Sequence, residues 1–301
     1  MVSSNNLSIS SSRPNHRISI SVYEPPLPTG GLIPVVVMAH GIGAIKEAGL
    51  EPFAAAFVGA GYAAITFDYL HFGMSDGQPR GLLSVRQELR DCQDVITWVR
   101  QQPRRFDINR IVFWGSSFGG MHVASLLAED HGLAAGIAQC PCVDGLGASL
   151  QIPLATTIRL ISAALLDYLS SFFSDTPVYV PLAGDSSTLA LMMGEEVVEG
   201  WARIAPREGV DFPNMIAARS ILSLSFNRPF LKLHRSVKPM LVVLPTWDHQ
   251  APLGAAEDAV RRAPLGEGLR VGGGHFDLYK GGPSYIENLN GQLSFLKRVI
   301  G

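Results

Sequence analysis

The stretch that most constrains this chain is an apolar run that leads into a Gly-x-Ser-x-Gly pattern and then into a helical pattern. Residues 111–114 read Ile-Val-Phe-Trp, and Gly115, Ser117 and Gly119 follow them. A strand that turns sharply into a helix holds a serine clear of the backbone, and flanking glycines let neighbouring backbone pass close by. We therefore predict that Ser117 is a nucleophile at the end of a buried strand, and that Ser116 is a spacer.

Short apolar runs alternate with amphipathic segments along most of the chain, which is typical of β-α units around a mostly parallel sheet. Residues 35–39 are apolar throughout, as expected for a strand that is buried on both faces. The predicted strands are residues 18–23, 35–39, 63–69, 111–115, 135–139, 240–244 and 269–272. The predicted helices are residues 51–59, 84–101, 118–129, 255–262 and 286–299. The pattern predicts an α/β fold with helices flanking a central sheet.

The regular alternation breaks between residues 143 and 236. This stretch opens with an apolar segment at residues 150–173 and continues through turn-rich segments, with helix-like pieces and no convincing strand. We expect a helical insertion over the end of the sheet, where ligands of open α/β sheets bind, so that it acts as a lid. The predicted core is residues 1–142 and 237–301, and the predicted lid is residues 143–236. An insertion that supports the fold without touching substrate is the alternative.

The composition narrows the classes of function. The chain has 301 residues, a formal net charge of −2 and only 17% charged residues, which does not favour a nucleic-acid partner. No apolar run is long enough to span a bilayer. Residues 1–13 are rich in Ser and Asn and lack the apolar core of a secretory signal, so we expect a cytoplasmic protein.

Three cysteines are too few for a disulfide framework, and we expect them to be reduced and mostly buried. Cys140 and Cys142 flank a proline at the end of a predicted strand, but no further Cys or His stands at a spacing typical of a zinc site. We therefore expect neither a metal ion nor an organic cofactor.

A serine nucleophile needs a histidine base and usually an acid that orients the base. His275 follows three glycines after the last predicted strand and is the candidate base. Asp248 lies just past the strand at residues 240–244, so it should project from the carboxyl edge of the sheet as the candidate acid. Asp144, which follows the preceding predicted strand, is the alternative acid.

The turn after the second predicted strand is rich in glycine, since residues 40–43 read His-Gly-Ile-Gly. Such a turn can aim a backbone N–H at the place where a carbonyl oxygen becomes an oxyanion. The candidate donors are the backbone N–H groups of Ile42 and of Phe118, the residue after Ser117. We interpret His40 as a hydrogen-bonding brace for this loop rather than as a proton carrier.

With these residues in place, the chain resembles members of the α/β-hydrolase superfamily. The matching features are the His40-Gly41 turn, Gly115-x-Ser117-x-Gly119, Asp248 after a late strand and His275 near the end, in the order Ser, Asp, His. The resemblance covers nearly the whole chain and implies the α/β-hydrolase fold with a lid at the insertion. Many relatives have a glycine shortly before the acid, whereas residues 245–248 here read Pro-Thr-Trp-Asp.

A narrower similarity links the chain to the dienelactone-hydrolase-like enzymes and to polyketide transferases of microbial secondary metabolism. It rests on residues 39–43 with Lys46, 67–69 with 71–75, 139–141 with Asp144 and Gly145, and 274–277. The resemblance implies a small-molecule acyl substrate, either free or bound to a carrier or to CoA. The sequence leaves open whether the protein forms a homodimer.

These residues support a serine-dependent acyl hydrolase or acyltransferase as the leading hypothesis. It would act on an ester or thioester of an apolar acyl group, polyketide-derived groups included, through an acyl intermediate on Ser117. A cyclase or carbon–carbon bond-forming enzyme of secondary metabolism on the same fold is one alternative. A ligand-binding protein that keeps the fold without catalysis is the other.

Overall fold

The computed structural model describes residues 4–26, 31–129 and 132–301, so the first three residues of the Ser- and Asn-rich N-terminus lie outside the described part. In this part the strands are β1 (Ser4–Ser10), β2 (Arg17–Tyr23), β3 (Ile33–Ala39), β4 (Ala63–Phe67), β5 (Phe106–Ser116), β6 (Ala135–Gln139), β7 (Tyr179–Val180), β8 (Ala183–Gly184), β9 (Met192–Met193), β10 (Ile216–Ala217), β11 (Met240–Pro245) and β12 (Gly266–Val271). The α-helices are α1 (Glu51–Gly59), α2 (Val85–Arg100), α3 (Phe118–Ala128), α4 (Gly145–Gln151), α5 (Leu154–Ser170), α6 (Glu195–Ile204), α7 (Ile221–Leu224), α8 (Leu253–Arg262) and α9 (Tyr285–Ile300). Two 3₁₀ helices span Ala218–Ser220 and Pro229–Arg235.

The central sheet of the described residues has eight strands in the order β1-β2-β4-β3-β5-β6-β11-β12. The strands from β4 to β12 in this order run parallel, while β2 is antiparallel to both β1 and β4. The prediction of an α/β fold with a mostly parallel sheet is confirmed. Every predicted strand and helix is present. The largest shift is in β5, which begins at Phe106 because its first residues are too polar to read as an apolar run.

Strand β1 is the sheet strand that the sequence pattern did not predict. Its apolar residues Leu7 and Ile9 alternate with Ser and Asn. The strand pairs only with β2 at the edge of the sheet, and most of its residues are exposed. An edge strand of this kind needs few apolar residues, so no apolar run marks it in the sequence.

Helices cover both faces of the sheet, because alternate side chains of each buried strand point to opposite sides. In β3, Val35 and Val37 pack in one core cluster with residues of α2, α3 and α8. Val36 and Met38 pack in a second cluster with residues of α1 and α9. A parallel sheet covered in this way has continuously apolar strands, which is why β3 was predictable.

The segment between β6 and β11 carries α4, α5, α6 and α7, in agreement with the helix-like pieces seen in the sequence. The expectation that it holds no strand was wrong. Strand β7 pairs with β10 in an antiparallel arrangement, and β8 pairs with β9 in a parallel one. Each of these strands has two residues, which is too short for a period-two pattern to be visible.

Within the described residues, no single helix is both long and apolar enough to cross a membrane. Taken together, α4 and α5 have the length and the apolar composition of a membrane span, but the two helices are bent by 120° relative to each other.

A buried network of polar side chains ties α9 to the ends of β5 and β6. Trp114 Nε1 donates a hydrogen bond to Gln292 Oε1 at 2.7 Å. The amides of Gln292 and Asn288 both donate to Gln139 Oε1, at 2.9 and 2.6 Å. Gln139 Nε2 in turn donates to Ser116 Oγ at 3.0 Å. All five side chains are buried, so each bond replaces one that water would otherwise make.

We predict that the substitution Gln139→Leu strongly destabilises the protein. It removes the acceptor that the buried amides of Asn288 and Gln292 share, so that each amide keeps only its other hydrogen bond, to Leu278 O and to Asn288 Oδ1 respectively. The free energy of unfolding should fall by about 2–4 kcal/mol. Urea unfolding followed by circular dichroism measures the change. The matched control is Gln101→Leu, at an exposed position after α2, which should change stability by less than about 0.5 kcal/mol. Equal losses in the two variants would show that the network contributes nothing.

Candidate active site

Ser117 occupies a strained turn between β5 and α3. Its backbone has φ 54° and ψ −115°, a conformation that is unfavourable for a residue with a side chain and persists only where the surroundings impose it. Two hydrogen bonds, one to the last residue of β6 and one to the chain just after it, supply that constraint. Ser117 N donates to Gln139 O at 2.9 Å, and Cys142 N donates to Ser117 O at 3.0 Å.

The glycines on either side of Ser117 are required by close backbone contacts. A Cβ on Gly119 would lie 2.6 Å from Ala39 O at the end of β3, and a Cβ on Gly115 would overlap the carbonyl of Gly119. Neither position has space for a side chain. The Gly-x-Ser-x-Gly pattern therefore reflects packing of the turn against β3, as well as exposure of the serine.

His275 and Asp248 meet because they follow two neighbouring parallel strands, β12 and β11. His275 Nδ1 donates a hydrogen bond to Asp248 Oδ2 at 2.8 Å, since a carboxylate can only accept. The other oxygen, Asp248 Oδ1, accepts from the backbone N–H groups of Gln250 and Ala251 at 2.8 and 2.9 Å. This arrangement orients the imidazole, and in the neutral ring it leaves Nε2 as the unprotonated nitrogen.

Opposing effects set the pKa of His275. Burial disfavours the imidazolium and lowers the pKa, whereas the Asp248 carboxylate and the nearby Cys140 sulfur raise it, and the net shift is well upward. Cys140 Sγ lies 4.0 Å from His275 Nε2. Sequence reasoning treated Cys140 only as a buried thiol and missed this contact, although its position directly after β6 was a usable signal.

The side chain next to the nucleophile, Ser116, points into the protein interior. Its hydroxyl is hydrogen-bonded to Tyr279 OH at 2.6 Å and lies 3.6 Å from Cys140 Sγ. It is fully buried, which agrees with the interpretation of Ser116 as a spacer.

Ser117 opens into a cavity of about 350 Å³. Most of its wall comes from the segment between β6 and β11, and the residues that line it carry no Asp, Glu, Lys or Arg within the described part of the chain. A smaller cavity beside it is lined by both Ser117 and His275, together with Gly41 and Ile42. The two candidate groups therefore face a common space. Ile42 and Phe118, the residues predicted to supply the amide donors, both line the larger cavity.

His40 braces the glycine-rich turn, as its position in the sequence suggested. His40 Nδ1 donates to Gly41 O at 2.9 Å, and its ring meets Tyr69 edge-on with ring centroids 4.5 Å apart. Burial lowers the pKa of His40 to about 4. The ring is therefore neutral near pH 7 and is poorly suited to exchange protons there.

Asp144, the alternative acid, is engaged elsewhere. Its Oδ1 accepts from Arg228 Nε at 2.7 Å and from Gly147 N at 3.1 Å, which caps the start of α4. Its Oδ2 accepts from Arg228 Nη2 at 3.0 Å. Among the hydrogen bonds of the described ranges, none joins Asp144 to His275, so the geometry favours Asp248.

The three cysteines are free thiols, with Cys92 and Cys140 buried and Cys142 partly buried. In residues 4–26, 31–129 and 132–301, no group of three or more His, Cys, Asp or Glu side chains could hold a metal ion.

The two candidate acids can be separated by titrating His275. We predict that Asp248→Asn lowers the pKa of His275, because the charge that stabilises the imidazolium is lost while burial remains. Nitrogen NMR of the histidine-labelled protein across pH 4–10 gives this pKa directly. Asp144→Asn is the matched control and should leave the pKa unchanged. A fall in Asp144→Asn, with none in Asp248→Asn, would reverse the assignment.

Comparison with known proteins finds one matching family and several similar proteins. Residues 15–152 match the family of X-Pro dipeptidyl-peptidases (S15 family). The chain is 38% identical to the quorum-quenching protein AidA of Acinetobacter baumannii over 267 residues, covering 89% of this chain and 87% of the relative. It is 28% identical to the polyketide transferase grgF of a Penicillium species, covering 88% of each chain.

The fold also matches a solved structure along its whole length. The α/β hydrolase GrgF from Penicillium superposes with a TM-score of 0.83, covering 99% of both chains at 22% sequence identity. The parallel sheet, the serine turn at its centre and the similarity to AidA over most of both chains lead to one conclusion. The chain belongs to the α/β-hydrolase superfamily and is an enzyme of that class.

Proposed function

We propose that this enzyme is a serine-dependent acyl hydrolase or acyltransferase that acts on an ester or thioester of an apolar acyl group. One observation carries the proposal. His275 Nδ1 is hydrogen-bonded to Asp248 Oδ2 at 2.8 Å, and His275 lines a cavity that Ser117 also lines. This arrangement provides a base that is oriented by a buried carboxylate and shares a space with a strained serine.

In the proposed reaction His275 acts first as a base. With Nδ1 protonated, Nε2 accepts the proton of the Ser117 hydroxyl while Oγ attacks the acyl carbonyl carbon. Asp248 stabilises the imidazolium that forms. Because only the neutral imidazole is a base, and the pKa of His275 is raised, turnover should fall as the pH drops through that pKa.

The tetrahedral intermediate then needs donors for its negative oxygen. We assign that role to the backbone N–H groups of Ile42 and Phe118, two residues that line the larger cavity together with Ser117. Collapse of the intermediate breaks the bond to the leaving alcohol or thiol, which takes the proton from His275. The acyl group stays on Ser117 Oγ until water or another acceptor, activated by His275, releases it.

The cavity limits the acyl group that the enzyme can take. Its apolar wall includes Ile152, Leu191, Met192 and Leu224, all from the segment between β6 and β11. We therefore propose that residues 143–236 form a lid over a core of residues 1–142 and 237–301. With no charged side chain among the described lining residues, the cavity suits an uncharged acyl group.

The names of the relatives suggest two sources of substrate. The similarity to AidA makes a small quorum-sensing signal one candidate, and the similarity to grgF makes a polyketide another. A carrier or CoA attached to a thioester would remain outside the uncharged cavity in this proposal. Because the chain belongs to a class of enzymes, we do not favour the alternative of a ligand-binding protein without catalysis.

We predict that Ser117→Ala lowers turnover of a short p-nitrophenyl ester by about 10³-fold or more, because the covalent route is removed. In parallel, intact-protein mass spectrometry should detect one phosphonate adduct on the wild type and none on the variant. Ser294→Ala, on the exposed side of α9, is the matched control and should retain both activity and adduct. Wild-type turnover in Ser117→Ala would rule out the proposal.

Ring closure or carbon–carbon bond formation is the second candidate function, favoured by the similarity to a polyketide transferase over 88% of the chain. A lid that excludes water would let a nucleophile within the substrate reach the acyl group first.

Turnover in ¹⁸O-labelled water separates the two outcomes. Hydrolysis should place one label in each released acid, and mass spectrometry of the products detects it. An unlabelled cyclic or condensed product from a polyketide thioester would favour the second candidate instead.

A further inference from the structure

Helix α5 exposes an unusually apolar face. Six large side chains on α5 or directly after it are between 42% and 75% exposed: Leu154, Ile158, Ile161, Leu165, Tyr168 and Phe172. Leu150, Leu166, Leu169 and Phe173 flank them and are at least 60% exposed. Monomeric proteins rarely present a contiguous apolar surface of this extent, which usually marks an interaction site.

The opposite face of α5 is firmly attached to the rest of the chain. Leu160 and Ala164 are buried, and so is Asp167. Asp167 Oδ1 accepts from Val178 N at 2.8 Å, and its Oδ2 accepts from Arg219 N at 2.9 Å. A rotation of the helix that hid its apolar face would break these buried bonds. The exposed face is therefore a fixed feature of the surface.

The spacing of the exposed residues suits a second helix as the partner. Residues 154, 158, 161, 165, 168 and 172 follow one another at intervals of four, three, four, three and four. Any two successive intervals add up to seven residues, which is the repeat by which one helix packs its side chains against a second helix.

The row of six residues is also complementary to itself. An antiparallel copy centred on Ala163 would place Leu154 opposite Phe172, Ile158 opposite Tyr168 and Ile161 opposite Leu165. A two-fold axis needs this property, because residue i must contact j while j contacts i. We propose that two copies of this chain form a dimer in which their α5 helices pack antiparallel about a two-fold axis that passes between Ile161 and Leu165.

The exposed apolar surface extends along α5 and beyond both of its ends. Ten large apolar side chains between residues 150 and 173 are each at least 42% exposed. A stable dimer needs an extended surface of this kind, since each partner contributes about 800 Å² to a standard interface.

Charge favours a second copy over a membrane. Helices that lie on lipid surfaces are rich in Lys and Arg beside their apolar face. Residues 150–174 contain one basic residue, Arg159, and the whole chain has a net charge of −2. An anionic bilayer would gain little attraction from this face.

The dimer would also support the wall of the larger cavity. Gln151, Pro153 and Thr156, at the end of α4 and the start of α5, line that cavity. Pairing of the helices would hold this wall in place from outside. The dimer itself does not depend on the proposed serine chemistry and is tested separately from it.

Sedimentation equilibrium of the full chain tests the proposal. The wild type should have twice the chain mass at micromolar concentration. Ile161→Lys places a charge opposite the apolar Leu165 of the other copy and should weaken the dimer by about 100-fold or more. Ile286→Lys, at a 62% exposed position on α9, is the matched control and should remain dimeric. Circular dichroism confirms that each variant is folded.

A charge pair then tests the geometry. The double variant Ile161→Lys/Leu165→Glu places opposite charges across the axis and should recover the dimer, with an affinity that falls as salt is added. An equimolar mixture of the single variants Ile161→Lys and Leu165→Glu should form heterodimers for the same reason. This mixture keeps the test usable if the double variant fails to fold.

Three results would overturn the proposal. The first is a wild-type monomer, whether or not it binds phosphatidylcholine/phosphatidylglycerol vesicles. The second is a dimer that Ile161→Lys leaves intact, since another surface must then form it. The third is recovery of the dimer in neither the double variant nor the mixture, which would exclude the antiparallel register.

Discussion

The site depends on one constrained turn of backbone, in which Ser117 is held at φ 54° between β5 and α3. This conformation is held by hydrogen bonds at and just after the end of β6 and by close contact of Gly119 with the end of β3. These three strands are neighbours in the parallel sheet, so their carboxyl ends reach the same edge. The sheet can therefore hold an unfavourable conformation that a short peptide of the same sequence would not keep.

The same edge brings in the remaining groups. Strands β11 and β12 deliver Asp248 and His275 side by side, although 27 residues separate them in the chain. The polar network around Gln139 fixes α9 to β5 and β6, and Tyr279 is hydrogen-bonded to Ser116. Buried hydrogen bonds of this kind have demanding geometry, and they make the positions of the candidate groups depend on the whole core rather than on their own loops.

Burial decided which strands could be predicted from the sequence. Strand β3 is apolar at every position because both of its faces are covered, and such a run is visible in the sequence. Strand β1 alternates Ser and Asn with Leu7 and Ile9 at an edge, and the two-residue strands between β6 and β11 carry no periodicity at all. In the site, Ser117 was marked by its local pattern, whereas the contact of Cys140 with His275 joins residues that no local pattern connects.

The sequence by itself determined the features that arise within a few neighbouring residues. These are the strand-turn-helix unit at Ser117, the order of Ser, Asp and His along the chain, and the apolar repeat of residues 154–172. Only the tertiary structure decided that Asp248 rather than Asp144 is bonded to His275, and that the apolar repeat faces outward. The physical reason is that both outcomes depend on which distant segments pack together, and local propensity carries no information about such contacts.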